Sequence, residues 1–160
     1  MVQWLLVMVL AVVVMALARQ VGTLHLRLAP RGALEIDAEG PPLGEAPPAV
    51  PATTADGSRV LVGGPGRKRL VLFSSATCPI CRDVAPGIAP AAAAARMVAQ
   101  VLHDPDVEHL YAVPGTPFVL VMDELGVVRA KGTVNDLEQV EGLVDLALRR
   151  LEEEPARWAS

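Results

Sequence analysis

Arg69-Leu70-Val71-Leu72-Phe73-Ser74-Ser75-Ala76-Thr77-Cys78-Pro79-Ile80-Cys81-Arg82 passes from an apolar β-prone run, through small polar residues, into a C-x-x-C motif. An alanine-rich stretch follows, so the run reads as a buried strand and the alanines as helix. The motif therefore sits at a strand-to-helix junction. Thr77 is the expected N-cap, and the first free N–H groups of the helix are expected to point at the Cys78 sulfur.

That placement has a chemical meaning, because the thiolate rather than the thiol attacks a disulfide, and a helix N-terminus stabilises the anion. Cys78 is the expected nucleophile. Cys81, one turn later, is placed to attack the resulting mixed disulfide and release the product. These are the only two cysteines in the chain. A structural zinc site needs four ligands, and two cysteines three apart cannot staple a scaffold across distance. Pro79 and Ile80 between them lack the histidine of strong oxidants, so the direction of exchange stays open. Arg82 either lowers a cysteine pKa by its charge or is a solvated helix residue.

Upstream, Arg59-Val60-Leu61-Val62 reads as another strand, separated from the buried run by Gly63-Gly64-Pro65-Gly66. Downstream, Pro90 to Asp104 is ambiguous: the alanines favour helix, while Met97 to Leu102 either continues it or forms a strand. Asp104-Pro105 ends that element, and Asp106 to Tyr111 suits a short helix. Pro117 to Met122 and Val127 to Ala130, joined by Asp123-Glu124-Leu125-Gly126, read as a hairpin. Asn135 with Glu138 resembles a capping box, ahead of Leu137, Val140, Val144, Leu148 and Leu151 at helical spacing.

The amino-terminal end differs in kind. Val2 to Ala18 is apolar apart from Gln3, enough for a helix of about 25 Å, with Trp4 and Arg19 as boundary residues. We read residues 1–18 as a transmembrane anchor. A cleaved leader ending at Ala16-Leu17-Ala18 is the competitor, but no Lys or Arg precedes the apolar run. Arg19, Arg27 and Arg31 follow it, which by charge alone favours a cytoplasmic placement of what comes next. Residues 19–51 read as a juxtamembrane segment and Pro/Gly-rich linker, 52–154 as one α/β domain, and 155–160 as a tail. A net charge of −4 with no basic patch argues against nucleic acid as a partner.

The sequence resembles thioredoxin-like proteins in Cys78-Pro79-Ile80-Cys81-Arg82-Asp83-Val84-Ala85-Pro86, with its C-x-x-C, following basic residue and helix proline. Gly115-Thr116-Pro117 ahead of a strand is similar to the family's cis-proline loop, which implies that Thr116 and Pro117 face the cysteines and bind substrate peptide. Ala18-Arg19-Gln20-Val21-Gly22, Leu24-His25, Ala29-Pro30, Gly44-Glu45-Ala46-Pro47 and Val128-Arg129-Ala130-Lys131-Gly132 with Asn135 narrow the resemblance to the MauD type of methylamine utilisation accessory protein.

The resemblance implies a thioredoxin-like α/β domain behind one transmembrane helix. It also implies an enzyme, a thiol-disulfide oxidoreductase of the inner membrane facing the periplasm. Its partners would be exported protein thiols or disulfides, among them the methylamine dehydrogenase small subunit. No cofactor is expected beyond the redox-active disulfide, and no metal. Alternatives are a cytochrome c maturation-type thiol reductant, a redox-inactive folding or binding module, and a copper-delivery protein.

Three features depart from the pattern. Leu72 stands where many thioredoxins keep a buried acid, and Thr77 replaces the common tryptophan. The Cys81-to-Pro117 interval is short, so the fold is abridged: if 97–102 is a strand the compact fold survives, and if it is helix the sheet loses a member. His25, His103 and His109 lack the spacing of a helical ligand set.

Overall fold

The computed structural model describes residues 38–157, together with the isolated positions 3 and 10. Apart from those two positions, the expected anchor lies outside the described residues, as do the arginines that follow it and His25. Among the described residues no helix is long and apolar enough to cross a membrane.

Among residues 38–157, six strands and three helices follow in the order β1 (Val50–Thr53), β2 (Arg59–Val62), β3 (Arg69–Phe73), α1 (Pro79–Ala94), β4 (Val98–Leu102), α2 (Pro105–Leu110), β5 (Phe118–Met122), β6 (Val128–Thr133) and α3 (Leu137–Arg157). The main sheet has the order β4-β3-β5-β6, with β1 and β2 forming a separate antiparallel pair. β3 runs parallel to β4 and antiparallel to β5. All five residues of β3 and of β5 are buried. These central strands carry continuous apolar sequence because both of their faces are covered.

The sheet divides two cores. Leu70, Leu72, Val119 and Val121 pack with Val84, Ile88, Val140 and Leu143 of α1 and α3. On the opposite face Val71, Phe73, Phe118 and Leu120 pack with Ala52, Val62, Val107 and Tyr111. Each fully buried large aliphatic contributes about 1.5–3 kcal/mol by leaving water.

The ambiguous stretch 97–102 is a strand. α1 closes at Ala95, Arg96 takes a left-handed φ of 57°, and the N–H of Met97 donates to Ala92 O at 2.8 Å. A non-glycine residue makes the reversal, which is why no glycine or proline marks it. The sheet keeps its member, and α2, which follows it, is six residues long.

Folded structure also begins earlier than the boundary expected at 52, since that position lies inside β1. Within the stretch read as linker, Gly44 N–H donates to Val128 O and Val128 N–H to Glu45 O, both at 2.9 Å. Gly40, at φ +69°, puts its backbone where a Cβ would come within 2.8 Å of the Phe118 ring. Here Pro and Gly mould the chain to the domain instead of freeing it. At the other end α3 continues to Arg157, into the stretch read as tail. Its N-terminus is also displaced from the expected Asn135–Glu138 box. Asp136 Oδ1 accepts from Gln139 N–H at 2.9 Å, and Gln139 Oε1 accepts from Asn135 N–H at 2.7 Å.

Candidate active site

Phe73 pairs with Phe118, so the segments that leave β3 forward and β5 backward emerge at the same end of the sheet. The first carries the cysteines and the second carries Thr116 and Pro117. Cys78 is the N-cap of α1, with φ −85° and ψ 113°, and Pro79 occupies the first helical position. Proline suits that position because its missing N–H would have no helical partner and its φ is preset. This moves the cap from the expected Thr77 to Cys78. Thr77 stands outside the helix, with its hydroxyl 3.0 Å from that of Ser75.

The cap is a sulfur. Cys81 N–H donates to Cys78 Sγ at 3.1 Å, and the two cysteines form a disulfide. Cys78 is half-buried, whereas Cys81 is 1% exposed and faces the core. The Thr116–Pro117 peptide is cis. Thr116 O lies 3.8 Å from Cys78 Sγ, and Pro117 is buried against the start of β5. Pro79, Ile80 and Arg82 are exposed around the motif. The cysteines and the Thr-Pro loop are thus brought together, while the Arg82 side chain reaches toward solvent.

Chemically, the arrangement offers one accessible sulfur whose anion would be met by a backbone N–H and by the positive end of α1. A second sulfur sits within bonding reach of it. Beside them the Thr116 carbonyl, in the bend ahead of β5, is a backbone acceptor suited to pairing with a peptide backbone. Leu72 is fully buried among Val84 and Ile88, so no acid at that position can take the Cys81 proton.

A polar group near the motif is invisible to motif reading. His103 Nε2 lies 3.2 Å from Ser74 Oγ, and Ser74 is 3% exposed. Burial, and then the charge of Asp104, raise the Glu108 carboxyl above its usual range, and His103 opposes them. The only sequence signal was strand register, which sets position 103 beside 74 once β3 and β4 are paired. His109 is exposed, and among the described residues no group of three or more His, Cys, Asp or Glu is placed to hold a metal ion.

No protein-family model matches the chain. The chain is 34% identical over 168 residues to the methylamine utilization protein MauD of Methylobacillus flagellatus, covering 89% of this chain and 82% of that protein. It is 32% identical over 169 residues to MauD of Methylorubrum extorquens, with the same two coverages. The alignments are longer than the chain, so these relatives carry residues within the matched span that this chain lacks.

Among solved structures, the thioredoxin domain of a thiol-disulfide oxidoreductase from Bacteroides vulgatus matches with a TM-score of 0.50 and 19% identity, covering 64% of this chain and 95% of that one. A protein assigned as the thiol:disulfide interchange protein DsbE of Chlorobium tepidum matches with a TM-score of 0.55 and 20% identity, covering 70% and 99%. At these identities the likeness shows the fold: a thioredoxin-like α/β domain carrying a Cys78–Cys81 pair.

Proposed function

The chain belongs to the MauD family of methylamine utilization proteins, and on that footing we propose that it is a thiol-disulfide oxidoreductase that matures an exported partner. The observation that carries the reading is the sulfur cap: a half-exposed Cys78 met by the Cys81 N–H at 3.1 Å and flanked by Thr116 O at 3.8 Å. In this mechanism a partner thiolate attacks Cys78, and Cys81 leaves as the displaced thiolate. A second partner thiolate then attacks the partner sulfur of the mixed disulfide, releasing an oxidised partner and a reduced Cys78–Cys81 pair. Run backward, the same steps reduce a partner disulfide. Thr116 and Pro117 bind the partner segment in extended form, with Pro79 and Ile80 giving it apolar contact. No cofactor enters beyond the Cys78–Cys81 disulfide.

The partner we favour is the methylamine dehydrogenase small subunit, since the relatives are named for methylamine utilization. We further propose that residues 1–18 hold the chain in the cytoplasmic membrane with the domain in the periplasm. Thiol exchange on exported proteins requires an outward-facing site, and that weighs more than three arginines. Buried Leu72 favours one rival, a redox-inactive binding module, because it supplies no proton carrier.

Thiol trapping of the pair in cells, beside Cys78→Ser and Cys81→Ser variants, tests the reading. We expect a mixed population of oxidised and reduced Cys78–Cys81 and loss of partner maturation in both variants. Full maturation in the double variant would leave only the binding module.

A further inference from the structure

Cys81 must exchange a proton whichever way the reaction runs, yet it is buried and Leu72 beneath α1 is apolar. The proton needs another route. Cys81, Val84, Ile88 and Ala92 are the buried face of α1, which crosses back over the sheet between parallel β3 and β4. Its first turn therefore lies over the ends of those strands. Ser74 N–H donates to Leu102 O at 3.0 Å, so the ladder continues past Phe73, and Ser74 projects from the same face as Leu72, one step closer to the motif. Opposite stands His103, two residues after Val101, which packs against that same core.

The geometry points to Ser74 and His103 as a proton relay for Cys81, standing in for the acid that Leu72 displaces. Ser74 is closed off from water, and its hydroxyl can both accept and donate. His103, 3.2 Å away and half-buried, reaches solvent. As Cys81 attacks the mixed disulfide on Cys78, its S–H proton passes to Ser74 Oγ while the hydroxyl proton moves to His103 Nε2. The Cys78–Cys81 bond forms, and the partner sulfur leaves with the electron pair. In the oxidising direction the proton returns along the same path to the displaced Cys81 thiolate. His103 acts through Ser74, as a positioning residue.

The titratable groups around it are Asp104, next in the chain, and Glu108 on α2, while α1 carries Arg82 and Asp83 in its first turn. Asp104 is committed elsewhere, accepting from Thr53 N–H at 2.8 Å and from Val107 N–H at 3.2 Å. Glu108 lies within electrostatic reach of His103. Arg82 and Asp83 are exposed to solvent.

The inference rests on the oxidoreductase reading, and one experiment separates the two. Reduced full-length protein is mixed with dithiobis(nitrobenzoate) in a stopped-flow instrument across a range of pH. Cys78 releases one thionitrobenzoate as it forms the mixed disulfide, and attack by Cys81 releases the second. For His103→Gln, whose amide can hydrogen-bond Ser74 but takes up no proton near neutral pH, and for Ser74→Ala, the second release is expected to slow about a hundredfold at neutral pH. The deficit should shrink as rising pH ionises Cys81 directly, and Ser74→Thr, which keeps the hydroxyl, should retain the fast phase. An unchanged second phase with an unchanged pH profile in both His103→Gln and Ser74→Ala overturns the relay alone. A wild-type protein with no second release overturns the oxidoreductase reading and the relay with it.

Discussion

Cys81 donates its backbone N–H to the sulfur of Cys78, so the residue proposed to resolve the exchange also stabilises the anion that begins it. Substituting the Cys81 side chain leaves that hydrogen bond in place, whereas substituting Cys78 removes the sulfur that accepts it. The two cysteines are therefore not equivalent.

Cys81→Ser is expected to accumulate a mixed disulfide with partner or with glutathione, because Cys78 keeps its stabilised anion and loses its resolving thiol. Cys78→Ser should form almost none, since the remaining thiol is 1% exposed. Non-reducing gels of the two variants, with and without glutathione disulfide, make the comparison. Equal adduct yields would contradict the assigned order of attack.

Tyr111 is the only tyrosine in the chain, so its ionisation can be followed alone by ultraviolet absorbance. Burial pushes its phenol up to about 12, with Arg69 pulling slightly the other way, and its hydroxyl donates to Pro48 O at 2.7 Å. The folded state thus holds the proton more tightly than the unfolded chain, whose phenol titrates near 10. The stabilisation is complete below that lower value and fades as pH climbs from there to about 12. Tyr111→Phe should cost about 1 kcal/mol at neutral pH and flatten the stability curve over that alkaline window. A wild-type absorbance midpoint near the unfolded value would refute the assignment.

Gly126 sits at φ +79°, and a Cβ there would collide with the Gly64 carbonyl. Gly126→Ala is expected to lose about 3 kcal/mol, combining left-handed strain with displaced backbone. Gly44, at φ +77° with nothing near its missing Cβ, isolates the first contribution, and Gly44→Ala should cost about 1–2 kcal/mol. Denaturant midpoints of the pair decide it, and equal losses would count against the collision.

Asp123 accepts from Leu125 N–H at 2.8 Å and Val127 N–H at 2.9 Å and holds Arg129 in an ion pair at 2.7 Å, all nearly out of water. Asp123→Ala removes the buried carboxylate that the Arg129 guanidinium and two amides share, and about 3–5 kcal/mol should be lost. The exposed Asp145–Arg149 pair provides the contrast: Asp145→Ala should stay within about 0.5 kcal/mol. Thermal melts of the two variants should differ plainly.

Much of the fold could be read from the chain because β3 and β5 are buried on both faces and show uninterrupted apolar runs. What escaped had physical causes of its own. β4 is an edge strand of mixed burial, so its composition did not separate it from the alanines before it. Residues 40–48 bind through backbone amides and carbonyls, which leave no side-chain pattern, and their Pro and Gly content resembles that of a free tether. The cap of α1 was placed one residue early because Thr77 is the ordinary capping type, whereas Pro79 decides where the helix begins. The cysteines and the Thr-Pro step were legible as local motifs. Ser74 and His103, 29 positions apart, become neighbours only through the pairing of β3 with β4.

In the exchange proposed above, the unequal exposure of the two sulfurs gives the two-electron store a single port. Every client would enter and leave through one atom, so the domain would hold only one polypeptide covalently at a time. Throughput would then be set by how quickly that port is vacated, and all covalent complexes would share one linkage.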